Sequence, residues 1–179
     1  MNQHWRKQQP DTPLFPDIEW NKPERRDLAG RLGIIGGNKL GFAAAADAYE
    51  IAKKTGAGEV RVLLPDALRS KVPTQMTDVL FAPTNASGSL ASEAATDVAA
   101  LHNWATGLLY IGDAGKNSQT AILYEHAIAK ADKPVVLTRD AIDLVQNSFP
   151  TILDNPHAVF VPPFAHIHRL FRPVSPPNA

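Results

Sequence analysis

The chain has 179 residues, and its 18 Lys and Arg residues balance 18 Asp and Glu residues, so its formal net charge is zero. A neutral chain predicts no global attraction to nucleic acid or to an anionic membrane. It has no cysteine, which excludes disulfides, thiolate zinc sites and cysteine nucleophiles. Residues 1–6 lack a signal-peptide core, and no apolar run approaches the roughly 18 residues of a membrane span. We therefore expect a cytoplasmic protein.

The first 29 residues are polar and rich in proline, with three aromatic side chains at Trp5, Phe15 and Trp20. Closely spaced prolines prevent a long helix, whereas the aromatic rings gain free energy from burial. We expect an extended arm over residues 1–29 that lies on its own domain or on a neighbouring subunit. A single α/β domain follows over residues 30–172, and a disordered tail over residues 173–179.

Short apolar runs then alternate with segments of helical pattern. The runs predict six strands, at residues 32–35, 59–64, 78–82, 107–111, 134–137 and 158–161. The remaining segments predict helices at residues 42–55, 66–70, 90–104, 118–131, 138–147 and 164–171, with a loop at 83–89. Ser118 and Thr138 are the expected N-caps, and Gly56 ends the first helix. Continuous apolar strands between helices are typical of a mostly parallel sheet with helices on both faces.

A glycine-rich turn joins the first predicted strand to the first helix, and it contains Gly36, Gly37, Asn38 and Gly41. Such a turn brings a ligand close to the backbone beside a helix N-terminus, which favours an anion. The spacing G-G-x-x-x-G matches neither the dinucleotide fingerprint nor the P-loop. A ligand site and a tight turn without a ligand both remain open.

Polar residues follow two later strands, at the sheet edge where open parallel sheets bind ligands. Asp113 lies between Gly112 and Gly115, where it would bind a hydroxyl, a metal-bound water or a ribose, or cap the helix that follows. Asp140 and Asp143 would lie close together on a helix, where they would contact a ligand or stabilise the helix dipole. The histidines form no ligand set, so we predict no metal site. Ser87 and Ser89 lie in a loop and have no base that the sequence identifies, so we assign no catalytic residue.

Four segments in the same order resemble one family. Residues 30–58 read G-R-L-G-I-I-G-G-N…G-F-A-A-A…T-G-A-G, and residues 109–115 read L-Y-I-G-D-A-G. Residues 132–142 read D-K-P-V-V-L-T-R-D-A-I, and residues 159–166 read V-F-V-P-P-F-A-H. This pattern, over residues 22–171, is similar to the nucleotide-dependent NAD(P)HX dehydratases, which repair hydrated nicotinamide cofactors. The resemblance implies a ribokinase-like fold, a nucleotide or nicotinamide-type ligand, ADP or ATP with Mg²⁺, and a homo-oligomer.

The chain also departs from that family's motifs. Asp113-Ala114-Gly115-Lys116 replaces P-G-L-G, and Thr138 replaces the first Asp of D-A-D-A-L, whose second Asp is Asp140. Pro163 replaces the His of T-P-H-P-G-E. The family's later G-D motif, whose Asp is the catalytic base, has no counterpart in the sequence, nor does most of its adenine pocket. The resemblance therefore implies a C-terminally incomplete fold, a catalytically incomplete chain, and a sheet with an exposed edge and uncovered apolar faces.

Three functions remain as alternatives. The first is a diverged NAD(P)HX dehydratase-like protein that binds a ligand at Gly36, Gly37, Asn38, Gly41, Gly112, Asp113, Gly115 and Asp140. The second is a non-catalytic scaffold or regulatory subunit that acts through self-association. The third is a protein similar to the sugar and vitamin kinases of the same superfold.

Overall fold

A computed structural model describes residues 9–12, 15–17 and 21–163 of the chain. Its centre is a sheet of six strands, all parallel, in the order β3-β2-β1-β4-β5-β6. The strands are β1 (Arg31–Ile35), β2 (Glu59–Pro65), β3 (Val79–Ala82), β4 (Gly107–Tyr110), β5 (Val135–Thr138) and β6 (Ala158–Val161). All six lie within a residue or two of the positions that the apolar runs predict.

Helices connect most of the strands and lie on both faces of the sheet, although only a 3₁₀ turn lies between β2 and β3 and two helices lie between β5 and β6. They are α1 (Ala43–Lys54), α2 (Ala95–Trp104), α3 (Ser118–Ala129), α4 (Asp140–Leu144) and α5 (Phe149–Leu153). Short 3₁₀ turns lie at Arg26–Leu28, Asp66–Leu68, Ser92–Ala94 and Gln146–Ser148. The prediction of a mostly parallel α/β fold is confirmed, although α5 was not predicted from the sequence.

Two apolar cores cover the two faces of the sheet. On one face α1 packs Ala45 and Tyr49 against Ile34, Val62 and Leu64. On the other face α2, α3, α4 and α5 cover the remaining side chains of the strands, and the buried members include Leu63, Leu108, Tyr110, Leu123, Val135 and Leu137. Burial of the central strands β1 and β2 on both faces accounts for their apolar runs in the sequence.

Both expected N-caps are wrong. Ser118 is the first residue of α3, and the cap is Asn117, whose side chain accepts hydrogen bonds from the backbone N–H groups of Gln119 and Thr120. Thr138 is the last residue of β5, and α4 starts after Arg139 without a side-chain cap. The helix expected at 138–147 is also short, since α4 ends at Leu144. Asn and Ser cap equally well, so the register of α3 against the sheet selects between them.

The end of α1 is as expected, because Gly56 follows the last helical turn with a φ of 93°. This left-handed conformation suits glycine after a helix. The helix expected at 90–104 begins later, as a 3₁₀ turn at Ser92–Ala94 that continues into α2.

Part of the predicted N-terminal arm lies outside the described residues, including Trp5 and Trp20. Within the described part, Phe15 is largely exposed, and Arg26 donates a hydrogen bond from Nε to the carbonyl oxygen of Gly58. The predicted helix at 164–171 and the predicted tail at 173–179 also lie outside it. The arm, the domain bounds and the tail stay predictions. Among the described residues, none of the helices is long and apolar enough to cross a bilayer.

Candidate ligand site at the carboxyl edge of the sheet

The glycine-rich turn after β1 is closed by hydrogen bonds within the protein. Gly36 donates from its N–H to the carbonyl oxygen of Leu63, and Gly37 donates to that of Gly112 at 3.4 Å. Gly37 has a φ of 79°, and a Cβ there would lie 3.2 Å from the Leu64 side chain. The glycines are therefore required by tight packing between β1, β2 and β4.

Asn38 and Gly41 form a small turn just beyond the glycine pair. Each donates its backbone N–H to the other's carbonyl oxygen, at 3.0 and 2.9 Å, and the Asn38 side chain accepts from the N–H of Leu40 at 2.7 Å. Lys39 donates its N–H to the carbonyl oxygen of Gly88. These donors are engaged with the protein, so a ligand that approaches this turn has to use side chains or to replace these bonds.

Two carboxylates connect three strand-to-helix junctions. Asp113, after β4, accepts a hydrogen bond at its Oδ2 from the N–H of Ala44 in the first turn of α1, at 2.9 Å. Asp140, after β5, accepts at its Oδ2 from the N–H of Asp113, at 3.1 Å. A carboxylate at a helix N-terminus is stabilised by the helix dipole. The alternative that Asp113 caps the following helix is therefore wrong, because the N-cap of α3 is Asn117 and Asp113 instead accepts from the first turn of α1.

The described residues contain two non-glycine residues with positive φ, and both lie at this edge. Asp113 has a φ of 63°, and Arg139 has a φ of 50° with a ψ of −127°. These residues follow neighbouring strands, β4 and β5. Backbone strain of this kind concentrates at functional sites. The Arg139 side chain lies over Gly112, where a Cβ would be 3.0 Å from its Cδ.

The loop between β3 and α2 closes the other side of this edge. Asn85 holds the loop: its Nδ2 donates to the carbonyl oxygen of Leu90 and to Oδ1 of Asn117, and its Oδ1 accepts from the N–H of Ser87. A Cβ on Gly115 would lie 2.7 Å from Oγ of Ser89 and 3.1 Å from Nδ2 of Asn38. The loops after β1, β3 and β4 therefore meet at Gly115.

The charges at this edge suit a ligand with both hydroxyl and phosphate groups. Asp113 and Asp140 each use Oδ2 for their backbone hydrogen bonds, which leaves Oδ1 to accept from a hydroxyl or an amide. The side chains of Lys39, Lys116 and Arg139 are exposed and positively charged. The described residues include no group of three or more His, Asp or Glu side chains that would hold a metal ion. Two carboxylates fit a Mg²⁺ ion only where a nucleotide supplies further oxygen ligands.

A second polar cluster lies away from this edge, under α2 and α3. His102 makes a hydrogen bond of 2.7 Å between its Nε2 and the Tyr110 hydroxyl. Burial, with a smaller contribution from Lys133, lowers the pKa of His102 to about 4. Burial also raises the pKa values of Tyr110 and Tyr124, and the Tyr124 hydroxyl has no hydrogen-bond partner among the residues that the structure describes. The two tyrosines belong to the core, and the partly buried His102 packs beside Tyr110; all three groups are neutral near pH 7.

Comparison with known proteins identifies the fold. The chain is similar to a ribokinase-like superfamily protein from Enterococcus faecalis, with a TM-score of 0.68 and 16% identity over 84% of this chain and 51% of that chain. The fold is ribokinase-like. The chain spans about half the length of that protein. The chain also aligns with the FMN-dependent cysteine decarboxylase SpaF, with a TM-score of 0.43 and 18% identity over 78% of this chain and 87% of that chain. A likeness this weak does not show a shared fold. No family model and no curated protein matches the sequence.

The ribokinase-like fold places all eight predicted site residues at one edge of the sheet. Gly36, Gly37, Asn38 and Gly41 follow β1, Gly112, Asp113 and Gly115 follow β4, and Asp140 follows β5. Sequence reasoning assigned no role to Arg139, because its positive φ has no local sequence signal, nor to Asn85, whose partners are distant in the chain. The ligand-binding role of the eight residues stays a prediction.

Proposed function

We propose that this ribokinase-like protein binds a nucleotide or nicotinamide-type ligand at the carboxyl edge of its sheet. The main support is the pair of strained residues, Asp113 and Arg139, on adjacent loops that are joined by the hydrogen bond from the Asp113 N–H to Asp140. A strained backbone persists only where the surrounding structure holds it. Here the two strained positions carry a carboxylate and a guanidinium on adjacent loops, groups that suit ribose hydroxyls and phosphates. The resemblance to NAD(P)HX dehydratases adds ADP or ATP as candidates.

The proposal assigns ligand contacts and no catalytic step. Asp113 and Asp140 would accept from hydroxyl or amide groups through Oδ1, and Arg139 and Lys116 would contact phosphate oxygens. The nucleotide would bring Mg²⁺ with it, held partly by its own phosphates. Hydration or dehydration of a nicotinamide ring is not assigned to any described residue.

The alternative is a scaffold without a ligand. Its support is the closed glycine-rich turn, in which the N–H groups of Gly36, Gly37 and Gly41 already donate to protein carbonyls. The N-terminus of α1 is likewise already supplied with an anion by Asp113.

A thermal-shift experiment separates these two functions. The 179-residue chain would be melted with ADP, ATP, AMP, NADH or NADPH, each with and without Mg²⁺. A ligand at about 100 times its Kd stabilises the folded state by about 2.7 kcal/mol, which raises the Tm of a chain of this size by about 5–10 °C. We expect such a shift with at least one nucleotide.

Charge-removing variants then locate the site. Asp140→Asn keeps an oxygen that can accept from the Asp113 N–H but removes the carboxylate charge, and it should reduce the nucleotide shift. Asp154→Asn, at an exposed position after α5, is the matched control and should keep the shift. No shift with any nucleotide, in a chain that melts cooperatively, would favour the scaffold. If Asp140→Asn leaves the nucleotide-induced rise in Tm unchanged, the nucleotide binds at another part of the protein.

A further inference from the structure

One polar group in the core has no hydrogen-bond partner among the residues that the structure describes. It is the hydroxyl of Tyr124, on α3, and the residue is 0% exposed. A buried hydroxyl without a hydrogen bond lowers stability, so a group of this kind needs a physical reason. Because the hydroxyl is enclosed on all sides, its partner has to be a group that already lies inside this part of the protein.

The neighbouring tyrosine does not supply that partner. The rings of Tyr110 and Tyr124 pack edge-to-face, with their centres 4.7 Å apart. The hydroxyl of Tyr110, however, already forms its hydrogen bond with Nε2 of His102, at 2.7 Å. The contact between the rings therefore fixes the orientation of the Tyr124 ring and leaves its hydroxyl without a bond.

A charged group close to this hydroxyl is the carboxylate of Asp140. α3 packs against α4, and Asp140 is the first residue of α4, directly before Ala141, which lies in the same buried core as Tyr124. Burial, with a smaller contribution from the Asp140 carboxylate, raises the pKa of Tyr124 well above its ordinary value. The hydroxyl therefore keeps its proton near pH 7 and is available as a donor.

We propose that Tyr124 is a positioning residue for Asp140. Its hydroxyl donates to the Asp140 carboxylate, directly or through one ordered water, while Oδ2 of Asp140 keeps its hydrogen bond from the N–H of Asp113. Hydrogen bonds to a carboxylate are stronger than those between neutral groups. A carboxylate has about four acceptor positions, so these two bonds leave Asp140 able to accept from a ligand as well.

This pairing would hold the carboxylate in a single orientation. Asp113 has a φ of 63°, and the hydrogen bond from its N–H to Asp140 helps to keep that conformation. Tyr124 would thus act on the candidate ligand site from inside the core, through Asp140 and without touching the ligand. The inference rests on the proposed function for the ligand, but the hydrogen bond itself does not require one.

A double-mutant cycle in the protein without nucleotide tests the pair. Tyr124→Phe removes one oxygen atom and keeps the ring, so folding should survive, which circular dichroism would check. We expect the unfolding equilibrium constant in urea at pH 7 to rise by about tenfold, as for the loss of a hydrogen bond to a charged group. In an Asp140→Ala background the same change should leave that constant unchanged or lower it, because the hydroxyl has already lost its acceptor.

The NMR signal of the Asp113 amide reports on the position of Asp140. In Tyr124→Phe we expect the Asp113 amide proton to move upfield, because its hydrogen bond to Asp140 lengthens. The Leu108 N–H, which donates to the Pro134 carbonyl oxygen, should keep its signal. Tyr110→Phe is the matched control: it should leave the Asp113 signal in place and affect unfolding equally with or without Asp140→Ala.

The outcomes separate this inference from the proposed function. A Tyr124→Phe chain that is as stable as wild type or more stable would overturn the proposal, and so would an equal effect in both backgrounds or an unmoved Asp113 signal. Where nucleotide binds, Tyr124→Phe should also reduce the nucleotide-induced rise in Tm. A full rise in that variant would overturn the role of Tyr124 in ligand binding, whereas no rise in wild type would overturn the proposed function alone.

Discussion

Substitution of Arg139 tests whether its backbone is strained and whether its side chain contacts the proposed ligand. Its φ of 50° and ψ of −127° lie near the first central position of a type II′ turn, which strongly favours glycine. A non-glycine residue in such a conformation costs about 1–3 kcal/mol. Arg139→Gly removes this cost, since glycine adopts the conformation freely.

The net gain in the free energy of unfolding is smaller than the cost of the strained conformation. Glycine loses more conformational entropy on folding, which offsets about 0.5–1 kcal/mol. The Arg139 side chain is exposed and its stem lies on Gly112, so its removal costs little packing. We therefore expect the free energy of unfolding to rise by about 1 kcal/mol, which raises the Tm by roughly 2–4 °C for a chain of this length.

Arg139→Ala is the matched control, because it removes the guanidinium but keeps the strained backbone. We expect Arg139→Gly to be more stable than wild type, and Arg139→Ala to be equal to it or less stable. Urea unfolding at fixed pH gives both differences. Equal stability of the Gly and Ala variants would refute the strain argument, and so would a loss of stability in Arg139→Gly. Under the proposed function both variants should also show a smaller nucleotide shift.

Three further predictions concern stability. Asn117→Ala removes the N-cap of α3 and should lower the free energy of unfolding by about 0.5–2 kcal/mol. Unchanged stability would show that this cap does not stabilise the helix. The His102 pKa is lowered to about 4, so between pH 6.5 and 4 the unfolded chain binds a proton that the folded chain does not, and stability falls as pH falls. His102→Gln should flatten that dependence by at most about 1.4 kcal/mol per pH unit, and parallel urea profiles for variant and wild type would contradict it. Gly58→Ala places a Cβ 2.6 Å from the Gly30 carbonyl oxygen and against that of Arg26, and should cost about 1–3 kcal/mol. Gly41→Ala meets no atom within 4 Å and should melt like wild type; equal Tm values for the two variants would show that the close contact at Gly58 does not matter.

The sequence by itself determined the six strands and the edge of the sheet at which the candidate residues meet. Apolar runs locate all six strands, because the central strands β1 and β2 are largely buried on both faces and need apolar side chains at most positions. The end of α1 follows from Gly56, whose left-handed conformation is a local property of the chain. Parallel strands bring their carboxyl ends to one edge, so the residues after β1, β4 and β5 had to lie near one another.

The tertiary structure decided which partner each polar residue has. Asp113 accepts from Ala44, 69 positions away along the chain, and no local pattern separates this helix from the one that follows Asp113. Asn117 and Ser118 are both good caps, and only the packing of α3 selects Asn117. The positive φ of Arg139 also depends on where distant segments lie. Local sequence sets backbone preference and apolar pattern, whereas capping, strain and exposure depend on contacts between residues far apart in the chain.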